Sequence, residues 1–257
     1  MKTTKYILIF LIITAMISCK STGKISKTKI TKAKSEINKL SQAEINNGWV
    51  LLFDGESNKG FRGYNKDSFP EKGWEVVDGT LHCIGSGKGE AGGGGGDIII
   101  DKKYKNFEIS LEWKISEGGN SGIFYLAQEI EGQPIYKSSP EMQVLDNAKH
   151  PDARLGKDGN RQAGALYDLI PAVPQNAKKA GEWNQIKILV YNGTVVHWMN
   201  GENVVEYHLW TPDWKKMCAN SKFKDWDNFI NTAEEGYIGL QDHGDDVWYR
   251  NIKIKEL

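Results

Sequence analysis

In the stretch Pro140-Glu141-Met142-Gln143-Val144-Leu145-Asp146-Asn147, a carboxylate and an amide stand two residues apart inside an otherwise apolar run. If the run is a strand, successive side chains point to opposite faces, so Glu141 and Gln143 share one face with Leu145 while Met142 and Val144 take the other. The two polar groups are then roughly 6 to 7 Å apart, close enough to grip a sugar hydroxyl together or to work on a glycosidic bond. A solvent-facing sheet edge would give the same pattern. Just upstream, Gly118-Gly119-Asn120-Ser121-Gly122-Ile123 adds a second polar group, because glycines there allow a turn or bulge that aims Asn120 out of the sheet. Downstream, Gly164-Ala165-Leu166-Tyr167-Asp168 sets an aromatic hydroxyl beside an acid. Leu240-Gln241-Asp242-His243-Gly244 sets an imidazole, which titrates near neutral pH, after a late strand.

The elements that must position these groups are strands. Trp74 to Ile84 reads as two strands around an Asp78-Gly79 hairpin turn. Phe107 to Ile115 alternates without a break, the pattern of a half-buried antiparallel strand, and Ile123 to Ala127 follows the glycine turn. Trp183 to Tyr191, Thr194 to Met199 and Glu202 to Leu209 form a meander on two Asn-Gly turns. Gly236 to Leu240 and Val247 to Ile254 finish the chain, joined through Asp245-Asp246. One helical insertion interrupts this order, Pro212 to Ile230, with Trp214, Met217, Phe223 and Trp226 spaced loosely like one face. The fold class is all-β. The glycine run Gly85 to Gly96 lacks the Gly-Lys-Ser/Thr of a phosphate loop and precedes no helix pattern, so it reads as a mobile loop. Asp146 to Arg161 is a long polar loop, of the kind that carries function in compact domains.

The 33 Lys and Arg balance 33 Asp and Glu without a basic block, which argues against nucleic acid as a partner. Nine Trp with abundant Gly suit a β-rich protein whose exposed rings stack on sugars, although most such rings belong to cores. Met1 to Lys5 is a basic n-region, Tyr6 to Met16 an apolar h-region, and Met16-Ile17-Ser18-Cys19 resembles a bacterial lipobox. Residues 1–19 are thus expected to be a lipoprotein signal peptide. Lipid on Cys19 would anchor an exported protein to a bacterial bilayer on its periplasmic or cell-surface side, with no spanning helix. Residues 20–39, rich in Lys, Ser and Thr, read as a flexible tether, and residues 40–257 as one domain that opens on a Ser41 to Glu44 capping pattern. Cys83 and Cys218 read as two buried thiols.

Seven motifs taken in order resemble the 3-keto-disaccharide hydrolase domain family, long catalogued as a domain of unknown function: Gly119-Asn120-Ser121-Gly122-Ile123, Pro140 to Asp146, Gly164 to Asp168, Gly181 to Asn184, His197 to Gly201, Ser221-Lys222-Phe223 and Leu240 to Gly244. The resemblance covers roughly Gly48 to Leu257. It implies a concanavalin-like jelly-roll β-sandwich with a concave ligand face. Related β-glucanases carry Glu-x-Asp-x-x-Glu on a bulged strand, and the same frame here reads Glu141-x-Gln143-x-x-Asp146. A bulge would return Asp146 to the face of Glu141. Gln143 replaces the middle acid, which argues against a double displacement between two carboxylates about 5 Å apart.

The substrate class implied by the resemblance, a glycoside oxidised to a ketone at C3, offers another route. The ketone acidifies the C2 proton, a base removes it, the enolate expels the C1 substituent, and water adds back. Glu141 and His243 are the expected catalytic base and acid, in either order. Asn120, Gln143, Asp146, Tyr167, Gln241 and Asp242 are the expected substrate contacts. Asp146 and Asp242 fit turn caps equally well, and His197, mid-strand, reads as a satisfied sheet residue. A divalent metal could bind if Glu141, Asp146, Asp242 and His243 converge, but no spacing is diagnostic and no metal is assigned. Two rival readings stand beside the hydrolase: a lectin-like carbohydrate-binding lipoprotein without turnover, and a glycoside hydrolase working with two carboxylates.

Overall fold

The computed structural model describes residues 37–87 and 94–257, all within one compact unit, Ser35–Leu257. The expected signal segment, Cys19, most of the tether and the middle of the glycine run lie outside the described residues. Two antiparallel sheets pack face to face in a jelly-roll β-sandwich. The larger holds β1 (Val50–Leu51), β3 (Trp74–Val77), β4 (Thr80–Cys83), β6 (Phe107–Ile115), β9 (Asn184–Tyr191), β10 (Thr194–Met199), β11 (Glu202–His208) and β13 (Val247–Glu256). Its order is β11-β10-β9-β6-β13-β4-β3, with β1 also paired to β13. The smaller runs β2 (Phe61–Gly63), β5 (Ile98–Ile100), β12 (Tyr237–Leu240), β7 (Asn120–Ala127) and β8 (Glu141–Leu145).

Alternation explains most of this. Phe107, Ile109, Leu111, Trp113 and Ile115 of β6 all enter the core between the sheets. The meander β9-β10-β11 turns at Asn192-Gly193 and Asn200-Gly201, where all four residues have positive φ, as the two-residue hairpin turn demands. β5 escaped the sequence pattern because Ile98, Ile99 and Ile100 are covered on both faces, so nothing alternates. β2 was missed because it is only three residues long.

The Ser41 to Glu44 capping pattern opens a short helix, α1 (Gln42–Asn46), and the single helix expected later in the chain is two. Thr211 caps α2 (Pro212–Ala219), its hydroxyl accepting from Trp214 N, and the chain unwinds at Asn220 before α3 (Asp227–Ile230). Ser221 stops the first helix by donating to Cys218 O at 2.7 Å while accepting from Phe223 N at 3.1 Å. Cys83 and Cys218 are both free and buried, as expected. Burial pushes the Cys218 thiol up to about 12.

A buried polar cluster crosses the core. The Tyr125 hydroxyl donates to His197 Nε2 at 2.8 Å and lies 2.7 Å from the Tyr207 hydroxyl, and His197 Nδ1 donates to Gly164 O at 3.1 Å. His197 is the satisfied sheet residue its position suggested, and burial pushes its pKa down to about 4. Among the described residues no helix is long and apolar enough to cross a membrane.

Candidate active site

β8 ends the smaller sheet. Met142 and Val144 point into the core, and Glu141 and Gln143 point outward, as alternation requires. They line a cleft of about 290 Å³ together with Asn120 of β7, Gln241 and His243 just after β12, and Tyr167. The volume sits at the low end of small-molecule sites, roughly 300–1,000 Å³. It suits a substrate of one or two rings better than a long chain.

The far edge of β8 is closed by the segment 164–167. Gly164 N donates to Gln143 O at 2.8 Å, Gln143 N to Ala165 O at 3.1 Å, and Tyr167 N to Glu141 O at 3.0 Å. This pairing brings Tyr167 beside Glu141. The Tyr167 hydroxyl donates to Asp152 Oδ2 at 2.9 Å, and Asp152 is held in turn by Arg161 at 2.8 Å. Burial first, and then the Asp152 carboxylate, push the Tyr167 phenol well above its ordinary range.

Glu141 lies across the neighbouring strand. A Cβ placed on Gly122 would stand 2.0 Å from Glu141 Oε1, so the carboxylate occupies the space that any side chain at 122 would fill. The Gln143 amide satisfies its surroundings with its nitrogen toward Glu141. It then donates to Oε1 at 3.0 Å and to Ser121 O at 3.1 Å, with its oxygen 3.3 Å from the Asn120 side chain. Glu141 is 8% exposed, Asn120 and Gln241 5% and Gln143 1%, so a row of polar groups is withdrawn from water on one face. Gln241 Oε1 and His243 Nδ1 are buried without a partner among the described residues. Orphaned polar atoms facing a cleft are a standing cost that a ligand can relieve.

The opposite wall is aromatic. Phe223 and Phe229 stack at 4.1 Å, Trp226 meets Phe223 edge-on at 5.1 Å, and Tyr136 lies 5.7 Å from Trp226. Lys137 Nζ sits 3.4 Å above the Trp226 ring, and Lys222 Nζ 4.0 Å above the Tyr167 ring. Such faces stack on the apolar side of a sugar. The break between α2 and α3 delivers Lys222, Phe223 and Trp226 here.

Of the expected site residues, Glu141, His243, Asn120, Gln143, Tyr167 and Gln241 converge. Asp146 and Asp242 do not line the cleft. β8 pairs with β7 in unbroken register from Glu141 to Leu145, so the expected bulge is missing. Asp146 instead accepts from Gly118 N at 2.8 Å and Ala148 N at 3.1 Å. Asp242 accepts from Gly95 N, Gly96 N and Gly244 N at 2.9 to 3.0 Å. Both carboxylates are spent on turn amides, which explains why neither reaches the cleft.

The imagined metal set therefore does not assemble. Among the described residues a different set does: His150, His243 and Asp245 place ligand atoms within 4.8 Å of one another. Asp245 is oriented by accepting from Asn120 N at 3.0 Å, and this nitrogen and oxygen set could hold a divalent transition-metal ion. His150 is kept below its ordinary pKa by burial and then by His243. In the structure as it stands its Nδ1 accepts from Asp152 N at 3.2 Å. His150 was missed by the sequence reading, its only signal being its place in the long loop after β8. The aromatic wall was legible only as one helical face.

Residues 48–255 match the family described as the 3-keto-alpha-glucoside-1,2-lyase-like domain. A 3-keto-disaccharide hydrolase from Bacteroides thetaiotaomicron is 53% identical over 252 residues, 91% of this chain and 86% of the relative. Two crystal structures from Parabacteroides distasonis, provisionally labelled glycosyl hydrolases, share the fold. One is 31% identical with a TM-score of 0.76, covering 86% of this chain and 100% of its own. The other is 27% identical with a TM-score of 0.64, covering 81% and 99%. From this match over most of its length, the chain belongs to the 3-keto-alpha-glucoside-1,2-lyase-like domain family.

Proposed function

We propose that this glycoside-cleaving hydrolase acts on 3-keto-glycosides, 3-keto-disaccharides among them, by removing the C2 proton, expelling the C1 substituent and hydrating the double bond left behind. The observation that carries this reading is the cleft's composition. Among the described residues that line it, Glu141 is the lone carboxylate, surrounded by amides, one imidazole and two ammonium groups. A two-carboxylate displacement needs a second acid about 5 Å away. Elimination next to a ketone needs one base and donors for the enolate oxygen. The family is described as a lyase and the relative as a hydrolase. Elimination followed by hydration accounts for both words, since the two steps sum to hydrolysis.

Glu141 is the base at C2. Gln143 donates to its Oε1, and Gly122 leaves room for it beside the substrate. His243 is the acid facing the C3 oxygen, with Asn120 beside it, and the orphaned Gln241 Oε1 accepts from a sugar hydroxyl. Gln143 thus acts through Glu141, and Tyr167, tied to Asp152, shapes the wall.

Purified protein is expected to cleave a 3-keto-disaccharide and leave the unoxidised parent intact. Turnover of the parent at a similar rate, or binding of both without cleavage, would overturn the reading. Export and lipid anchoring at Cys19 belong to the same proposal, supported by the n-region, h-region and lipobox order. Cys19→Ala is expected to release the protein from membranes, and unchanged membrane fractionation would contradict it.

A further inference from the structure

We infer that Lys222 is the general acid that protonates the departing oxygen at C1. This rests on the elimination reading above. Expelling an alkoxide from an enolate is slow without a proton donor at the leaving atom. Two other cleft residues are poorly suited to it. The Tyr167 proton is committed to Asp152, and Lys137 rides on the outer ring, Trp226.

Lys222 Nζ is held between aromatic faces, 4.0 Å from the centre of Tyr167 and 5.2 Å from that of Phe223. Its nearest carboxylate oxygen, Asp168 Oδ2, is 3.9 Å away, beyond hydrogen-bond reach, and Asp168 is already engaged by Arg161. The ammonium is therefore positioned by rings, and its donors are not consumed by a carboxylate. The charged and titratable groups around it are Asp168, Arg161, Glu141, Asp152 and Tyr167. Desolvation holds it below the usual lysine range despite Asp168, which makes it a better acid near neutral pH. The neighbouring Phe223, Trp226 and Tyr136 rings give the departing sugar a surface to stack on.

The step balances. Glu141 takes the C2 proton and the C–H pair forms the enolate. The enolate collapses to restore the C3 carbonyl, a double bond forms between C1 and C2, and the C1–O bond breaks with its pair on oxygen. Lys222 gives that oxygen its proton. Addition of water across C1 and C2 and proton return through solvent restore Lys222 as the ammonium and Glu141 as the carboxylate.

The test uses two 3-keto-glucosides, one with a sugar leaving group and one with 4-nitrophenolate, a weakly basic group that departs without help. Lys222→Met is expected to lose about a hundredfold or more in kcat on the first and only a few-fold on the second. Its pH–rate profile should lose the basic limb. Lys222→Arg keeps the charge over both rings but cannot release its proton, so it should behave like Lys222→Met even if the latter folds poorly. Equal losses on both substrates, or full activity of Lys222→Arg on the sugar substrate, would overturn the assignment. Failure of the wild type on both substrates would instead sink the elimination reading itself.

Discussion

Gly122→Ala separates the chemistry of this site from its stability. Gly122 has no positive φ, so alanine fits its backbone, and a strand glycine replaced by alanine ordinarily gains a few tenths to about 1 kcal/mol. The new methyl, however, would lie 2.0 Å from Glu141 Oε1, 2.7 Å from Cδ and 2.9 Å from Cγ. Reaching ordinary contact requires the carboxylate to move by more than 1 Å. It is the far end of a flexible side chain and can swing, so the thermal midpoint should shift by no more than a few degrees. The same swing takes Glu141 off the Gln143 amide and, on the proposed chemistry, off the C2 proton. A misplacement of about 1 Å costs on the order of a hundredfold in rate. The assay is kcat/KM on a 3-keto-disaccharide beside a melting curve. A variant that melts normally and retains full activity would refute both the base assignment and the role of Gly122.

Three further outcomes follow from the same geometry. Glu141→Gln and His243→Ala are each expected to lose a hundredfold or more in kcat with the fold intact, and unchanged rates in both would remove them from the chemistry. Asp242→Ala strands three backbone amides, at Gly95, Gly96 and Gly244, and should cost roughly 3 kcal/mol in denaturant unfolding; an unchanged midpoint would contradict its structural role. His197 has a folded pKa of about 4, below its ordinary 6.5, so the unfolded chain takes up that proton first on acidification. Its contribution is complete above pH 6.5 and falls toward pH 4, by on the order of 3 kcal/mol. Unfolding free energies of wild type and His197→Gln should therefore converge as pH drops, and parallel curves would refute the linkage.

What could be read beforehand was what depends on local period and turn chemistry. The Asn-Gly turns fixed the meander, and alternation put Glu141 and Gln143 on one face. What could not be read depends on contacts between distant segments. A carboxylate at the end of a strand reaches a cleft or caps a turn according to where loops far away in sequence leave open amides, and Asp146 and Asp242 both met amides first. Gly122 looked like turn chemistry. Its role is steric and concerns a side chain on the next strand. His150 joins His243 only because the loop after β8 brings the two rings to 6.1 Å, and no spacing encodes that. The aromatic wall depends on Ser221 breaking a helix at a position where periodicity alone would continue it.

The central claim is that the glycosidic bond breaks through loss of the C2 proton. Cleavage of a 3-keto-disaccharide in deuterium oxide, followed by proton NMR and corrected for uncatalysed exchange, tests it directly. Elimination and hydration predict one deuteron at C2 of the released 3-keto sugar for every bond cleaved, with none appearing when Glu141→Gln is used. Cleavage that leaves the C2 proton in place would contradict the account.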